Sequence, residues 1–181
     1  MTTGVRGVGV DIVDLGAFAA SLAEPGTRLT RAFSATERRQ CRERAESRGA
    51  RPGEATVSSS SGASGASAPG TSAPATSGPA PARREDPLAR HLAARWAAKE
   101  AVVKAWSAAL YGEPPPIAPD LLRWSEIETV CDNWGRPSVR LGGEVARQVA
   151  ATIGEGARWN VSLSHDGGSA IAFVVLEGPG G

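Results

Sequence analysis

The feature that most limits the fold of this 181-residue chain is a run of small residues in its middle. From Thr56 to Ala82 the sequence contains only Thr, Val, Ser, Gly, Ala and Pro. Such a segment cannot bury enough apolar surface to offset the entropy that is lost when a chain becomes ordered. We therefore predict a disordered insertion at about residues 49–85, inside one domain that spans residues 1–178. The folded part would comprise about residues 1–48 and 86–178.

The overall charge of the chain gives no reason to expect a nucleic-acid partner, because the net charge is only +1. The segment from Arg28 to Arg48 is different, since it holds seven arginines and three glutamates. This segment is either a solvated helix face or a docking surface for an acidic partner. A nucleic-acid-binding helix ranks last, because no aromatic side chains for base stacking surround the arginines.

Cysteine usage and hydropathy favour a cytoplasmic protein. The two cysteines, Cys41 and Cys131, are far apart and lack the spacing of metal ligands, so reduced thiols are expected. The N-terminus lacks the apolar stretch of a signal peptide, and no apolar run is long enough to span a membrane.

Periodicity and capping signals predict an α+β fold in which helices pack on a small, mainly antiparallel sheet. Asp14, Ser34 with Glu37, and Asp86-Pro87 are signals for helix starts. The predicted elements are a strand at 5–13, helices at 14–26, 34–48 and 88–110, a hairpin at 127–141, a short helix around 145–153 and a second hairpin at 159–176.

The longest predicted helix, 88–110, carries a carboxylate and an amine on one face. A wheel at roughly 100° per residue puts large apolar residues on one arc and a row of alanines opposite them. Glu100 and Lys104 share a face at the edge of the alanine row, where a backbone or a ligand can approach closely. Spacing alone favours an ordinary surface ion pair. Arg95 and Lys99 fall within the large apolar arc, so that face is either partly exposed or meets another subunit or a phosphate.

Asp11 strengthens a functional interpretation of this pair. It lies on the face of the first strand that otherwise presents Gly7 and Gly9. Two carboxylates, Asp11 and Glu100, suit Mg²⁺, which takes one or two carboxylates and completes its shell with water and phosphate oxygens. Lys104 would then supply a point charge to the phosphate.

Two stretches together carry a resemblance to a known family. Gly7 to Val13 (GVGVDIV) and Arg90 to Trp106 (RHLAARWAAKEAVVKAW) resemble the paired signature of holo-[acyl-carrier-protein] synthases, the small phosphopantetheinyl transferases of fatty-acid biosynthesis. The stretches 27–37, 126–141 and 161–165 agree with the family in order and spacing. The resemblance covers essentially all of the chain outside the insertion. The sequence around Arg90 to Trp106 and the Ala/Arg-rich composition are most similar to those of actinobacterial members.

The resemblance implies a 4′-phosphopantetheinyl transferase fold and a Mg²⁺-dependent transfer from coenzyme A to a serine of an acidic acyl carrier protein. Asp11 and Glu100 match the family's metal-binding residues, and Lys104 matches the lysine near the pyrophosphate of coenzyme A. Glu100, or a metal-bound water that it holds, would be the catalytic base. Arg90 and His165 are weaker candidates for coenzyme A phosphate contacts.

The family also implies partners. Arg28 and Arg31 fall where members use basic residues to hold the acidic carrier helix, and members form homotrimers with sites between subunits. Two positions depart from the family pattern. Tyr111 to Pro116 replaces a Gly-Thr/Ser-Gly loop, and Ala17 stands where many members have a basic carrier-binding residue. The alternative is a carrier-binding relative that has lost activity.

Overall fold

The computed structural model describes residues 4–49 and 86–179. The predicted insertion at 49–85 lies outside these described residues apart from its first position, and so does part of the predicted single domain 1–178. The described residues form four helices: α1 (Leu15–Ala23), α2 (Ala35–Gly49), α3 (Pro87–Ala109) and α4 (Gly143–Thr152). The five strands described are β1 (Val5–Asp14), β2 (Ile127–Cys131), β3 (Pro137–Leu141), β4 (Arg158–Asp166) and β5 (Ser169–Glu177). Short 3₁₀ turns occupy Leu29–Ala32 and Trp124–Glu126.

Both sheets in the described part of the chain are antiparallel. One has the strand order β1-β5-β4, and β2 and β3 form a separate hairpin. The predicted α+β class, with helices on a small antiparallel sheet, is therefore confirmed. The β4–β5 hairpin turns at Gly167, whose φ of 51° lies in the left-handed region that favours glycine.

The capping residues identified in the sequence begin the helices as predicted. Asp14 accepts a hydrogen bond from the amide of Ala17, 2.7 Å away, at the start of α1. Asp86 accepts one from Leu88 at 2.9 Å, with Pro87 at the first position of α3. Ser34 and Glu37 form a reciprocal capping box at the start of α2.

The glycine face of β1 lies directly on the alanine row of α3. A Cβ added at Gly9 would lie 2.7 Å from the amide nitrogen of Ala105 and closer still to the carbonyl oxygen of Ala101. At Gly7 an added Cβ would lie 3.0 Å from the amide nitrogen of Ala109 and closer still to the carbonyl oxygen of Ala105. Only glycine lets the two backbones approach this closely, so the sequence pattern sets the packing of strand on helix.

The opposite face of α3 corrects one expectation. Lys99 is fully buried and pairs with Glu37 of the same chain, with 2.8 Å between Lys99 Nζ and Glu37 Oε2. Burial lowers the pKa of Lys99, and the Glu37 carboxylate opposes that shift. The expectation that Lys99 lies on a partly exposed face, or meets another subunit or a phosphate, was therefore wrong. Arg95 is also buried, with a hydrogen bond of 3.3 Å to the carbonyl of His91.

The outer face of the three-stranded sheet is apolar and exposed. Val8, Val10 and Ile12 of β1 are 45%, 47% and 64% exposed. They lie beside Ile171 and Phe173 of β5, since β1 pairs with β5 in antiparallel register. In the described part of the chain, no helix is long and apolar enough to cross a membrane.

Candidate active site

Asp11 is held on the inner side of the edge strand β1 by Lys104. The Lys104 Nζ donates to Asp11 Oδ1 at 2.7 Å and to the carbonyl of Val10 at 3.0 Å. The Asp11 side chain is 11% exposed, whereas that of Lys104 is 55% exposed. The amine therefore remains open to solvent, and to a ligand, while the carboxylate is largely withdrawn from water.

Glu100 lies one helical turn before Lys104, and its carboxyl meets that of Asp11. Burial, together with the hydrogen bond and the charge of Asp11, raises the pKa of Glu100 to about 7. Lys104 opposes this shift. When both carboxyls are ionised, Asp11 Oδ2 is buried and has no hydrogen-bond donor among the described residues. Two close carboxylates and one unsatisfied oxygen form an environment that favours a positive charge.

The donor set of this site fits Mg²⁺. Among the described residues, no group of three or more His, Cys, Asp or Glu side chains is arranged to hold a metal ion. Mg²⁺ does not need such a group, because one or two carboxylates suffice when water and phosphate complete its octahedral shell. The unsatisfied oxygen of Asp11, beside Glu100, is consistent with that kind of ligand.

Trp96 is a site residue that the sequence analysis missed. Its side chain donates a hydrogen bond to Glu100, which acts to lower the pKa of that carboxyl. The indole ring lies 6.4 Å from the Phe33 ring and 4.9 Å from the Trp124 ring, measured between centroids. Its spacing four residues before Glu100 was the available signal, since such residues are neighbours on a helix.

Arg90 and His165 meet at a second location. An Arg90 guanidinium nitrogen lies 2.6 Å from His165 Nδ1, and Arg90 Nε is buried without a hydrogen-bond partner among the described residues. His165 also lines a cavity of about 150 Å³ together with Arg44 and Arg95. Arg44 belongs to the arginine-rich segment from Arg28 to Arg48, and its place in this cationic cavity is not predicted by the sequence.

The two locations lie at opposite edges of the sheet within one chain. Asp11 belongs to the edge strand β1, His165 belongs to the edge strand β4, and β5 separates them. The structure thus brings Asp11, Glu100 and Lys104 together. It brings Arg90 to His165, and it does not bring the two groups into one site.

The arginine turn (residues 28–32) forms a third location. Arg28 and Arg31 are both exposed there, at the 3₁₀ turn that precedes α2. Arg38 has a different position, because its guanidinium donates to the carbonyls of Thr30 and Phe33. The arginines of this segment therefore have three kinds of surroundings. Arg28 and Arg31 are exposed to solvent, Arg38 bonds to backbone carbonyls, and Arg44 lines the cationic cavity.

The loop after α3, from Glu113 to Pro116, lines an apolar cavity of about 290 Å³. Pro114 to Pro116 form one wall, and Val103, Trp106 and Leu110 of α3 form another. The loop therefore forms a cleft beside the end of α3 that carries Lys104.

Comparison with known proteins identifies the family of this chain. A family model described as "ACPS: 4'-phosphopantetheinyl transferase superfamily" matches residues 73–174. The holo-[acyl-carrier-protein] synthase of Corynebacterium glutamicum strain ATCC 13032 is 38% identical over 169 residues, covering 93% of this chain and 96% of that protein. The enzyme of that name from Mycobacterium ulcerans is 38% identical over 175 residues, covering 96% and 98%.

Solved structures extend the similarity to the fold. The ACPS–coenzyme A complex of Chronobacterium ammoniagenes matches with a TM-score of 0.70 and 34% identity, covering 98% of each chain. Mycobacterium tuberculosis acyl carrier protein synthase matches with a TM-score of 0.59 and 31% identity, covering 97% of this chain and all of that one. The chain therefore belongs to the 4′-phosphopantetheinyl transferase superfamily, and within it to the family of holo-[acyl-carrier-protein] synthases. The resemblance to actinobacterial members seen in the sequence is confirmed.

Proposed function

We propose that this chain transfers the 4′-phosphopantetheine group of coenzyme A to a serine of an apo acyl carrier protein in fatty-acid biosynthesis. The products are the holo carrier and 3′,5′-ADP. The observation that carries the proposal is the contact of Asp11, Glu100 and Lys104 in a chain whose relatives are named holo-[acyl-carrier-protein] synthases.

Asp11 and Glu100 would hold Mg²⁺, which when bound neutralises charge on the phosphate oxygens. Lys104 reaches solvent beside the carboxylates and is suited to bind a pyrophosphate oxygen as a point charge. The side chains of Asp11, Glu100 and Lys104 are already held in position, because β1 packs closely on α3. Charge stabilisation by such preorganised groups is the main service that a protein offers phosphoryl transfer.

The proposed reaction is a displacement at phosphorus. The serine oxygen of the carrier forms a bond to the β-phosphorus of coenzyme A, and the bond from that phosphorus to 3′,5′-ADP breaks with its electron pair. The serine proton passes to the Glu100 carboxylate or to a water that this carboxylate holds. Trp96 keeps the accepting carboxylate oriented through its hydrogen bond.

The nucleotide end of coenzyme A is assigned to the second location. Its phosphate would contact Arg90 and His165, and the cavity that His165 shares with Arg44 and Arg95 adds further positive charge. Arg90 Nε is a buried donor that a phosphate oxygen would satisfy. The acidic carrier is assigned to Arg28 and Arg31, which extend into solvent.

A homotrimer would bring the carboxylate site of one subunit close to the cationic cavity of its neighbour, although the two lie apart within one chain. Asp11 and His165 lie on opposite edge strands, so one coenzyme A molecule would contact the carboxylate site of one subunit and the cationic cavity of the next. The exposed apolar sheet face, with Ile12 and Phe173, supplies a surface that association would cover. We also infer a cytoplasmic location, in keeping with the free thiols of Cys41 and Cys131.

The test of the metal-dependent transfer compares isosteric variants. Asp11→Asn and Glu100→Gln should each lower the transfer rate about 100-fold or more, because each removes a charge that would hold the cation. Glu155→Gln, at an exposed carboxylate of the loop before β4, is the matched control and should transfer at the wild-type rate. Near-normal rates of both site variants at limiting Mg²⁺ would refute the proposed site.

A further inference from the structure

A buried ion pair joins α2 to α3 immediately beside Glu100. Glu37 and Lys99 are both fully buried, and Lys99 Nζ lies 2.8 Å from Glu37 Oε2. The same ammonium also donates to the backbone carbonyls of Trp124, at 3.1 Å, and Ile127. Its three N–H groups therefore have three acceptors, which is the full complement for a lysine.

The carboxylate of this pair is equally well satisfied. Glu37 Oε2 also accepts from the amide of Ser34, and Glu37 Oε1 accepts from the amide of Thr129, both at 2.9 Å. The Ser34 hydroxyl in turn donates to the Glu128 carboxylate at 2.5 Å. These hydrogen bonds link the start of α2 to β2, and Lys99 links both elements to α3. We call this set of contacts the α2–α3 junction.

Stability alone does not explain an ion pair in this position. Well-packed apolar residues of similar volume often serve a buried site as well or better, because the desolvation of two charges is costly. An ion pair adds a requirement for one geometry, since any shift of α3 leaves a buried charge without its partner. The pair of Glu37 and Lys99 therefore sets the position and rotation of α3 relative to the start of α2.

Two functional locations flank this junction. Glu100 follows Lys99 directly in α3, and the arginine turn (residues 28–32) ends two residues before Ser34. We propose that Glu37 and Lys99 are positioning residues of the transfer reaction, which hold the arginine turn at a fixed distance from the carboxylates. The serine of the docked carrier then meets the reacting phosphorus. This inference rests on the proposed function.

The first test removes both charges together. The double variant Glu37→Leu with Lys99→Met retains the buried volume and leaves no unpaired charge, although the backbone groups of Ser34, Thr129, Trp124 and Ile127 lose their side-chain partners. It should unfold cooperatively at a lower Tm than the wild type. Below that transition it should keep its KM for coenzyme A within twofold, whereas kcat falls at least tenfold. A merely structural role lowers Tm and leaves the kcat of the folded protein unchanged. A well-folded double variant with wild-type kcat therefore overturns the proposal.

A milder variant keeps the proposal testable if the double variant fails to fold. Ser34→Ala removes one hydroxyl of the α2–α3 junction and should lower kcat at least threefold with an unchanged KM for coenzyme A. The matched control is Ser47→Ala, because among the described residues that exposed serine on α2 bonds only to the carbonyl of Glu43 in its own helix. A wild-type kcat for Ser34→Ala would overturn this inference and would leave the proposed function intact. A wild-type chain that leaves every carrier unmodified overturns the proposed function, and the inference with it.

Discussion

The close approach of β1 to α3 makes Gly9→Ala the most informative single substitution. The new Cβ would lie 2.7 Å from the amide nitrogen of Ala105 and closer to the carbonyl oxygen of Ala101. An ordinary contact requires about 3.5 Å, so β1 must move away by at least ~0.8 Å. Both obstructing groups are backbone atoms of a buried helix, and neither can rotate aside.

The cost of this substitution follows from overpacking. We expect a loss of about 3 kcal/mol, equivalent to roughly 10 °C in Tm for a domain of about 150 residues. The transfer rate should fall as well, because Asp11 lies two residues further along the displaced strand. A displacement of about 1 Å at a reacting centre can cost roughly 100-fold in rate.

The assay measures Tm by calorimetry and the transfer rate at a temperature well below both transitions. Gly4→Ala is the matched control, since a Cβ there meets nothing within 4 Å and the residue directly precedes β1. It should behave as the wild type in both measurements. A Gly9→Ala variant with unchanged Tm and unchanged rate would refute the argument that the glycine face positions Asp11.

Three further predictions concern other parts of the molecule. Phe173→Glu introduces a charge into the apolar sheet face and should convert a trimer into monomers, as light scattering after size-exclusion chromatography would detect; a trimer that persists would contradict the proposed interface. Trp96→Phe keeps an aromatic ring but removes the hydrogen bond to Glu100, worth about 1 kcal/mol, so the Mg²⁺ concentration for half-maximal rate should rise about fivefold. An unchanged Mg²⁺ titration would show that this hydrogen bond plays no part. Deletion of residues 56–82 should leave both Tm and transfer rate close to wild type, and a large loss of either would show that the tract is more than a passive insertion.

Much of the fold could be predicted because its signals are local. Asp14 and Asp86 mark helix starts through side-chain hydrogen bonds two or three residues ahead, and alternation on β1 identified its glycine face. The alanine row of α3 correctly indicated close backbone approach. Lys104 was predicted to bind a phosphate beside Asp11 and Glu100, and its ion pair with Asp11 is seen only in the structure.

The parts that could not be predicted depend on contacts between distant segments. A helical wheel gives the direction of Lys99 and says nothing of the element packed against it, so its pairing with Glu37, 62 residues away, was missed. For the same reason Arg44 could not be assigned to the cavity at His165, because the turn between β2 and β3 completes that cavity. The role of Trp96 was hidden by its apolar ring, which also fits an ordinary core position.

The most direct test of the central claim is the intact mass of an apo acyl carrier protein after incubation with this protein, coenzyme A and Mg²⁺, with EDTA added to a parallel sample. The proposed function predicts that the carrier gains the mass of one phosphopantetheine group and that EDTA abolishes the gain. No gain with several folded carriers would contradict it and would favour a carrier-binding protein that lacks transferase activity.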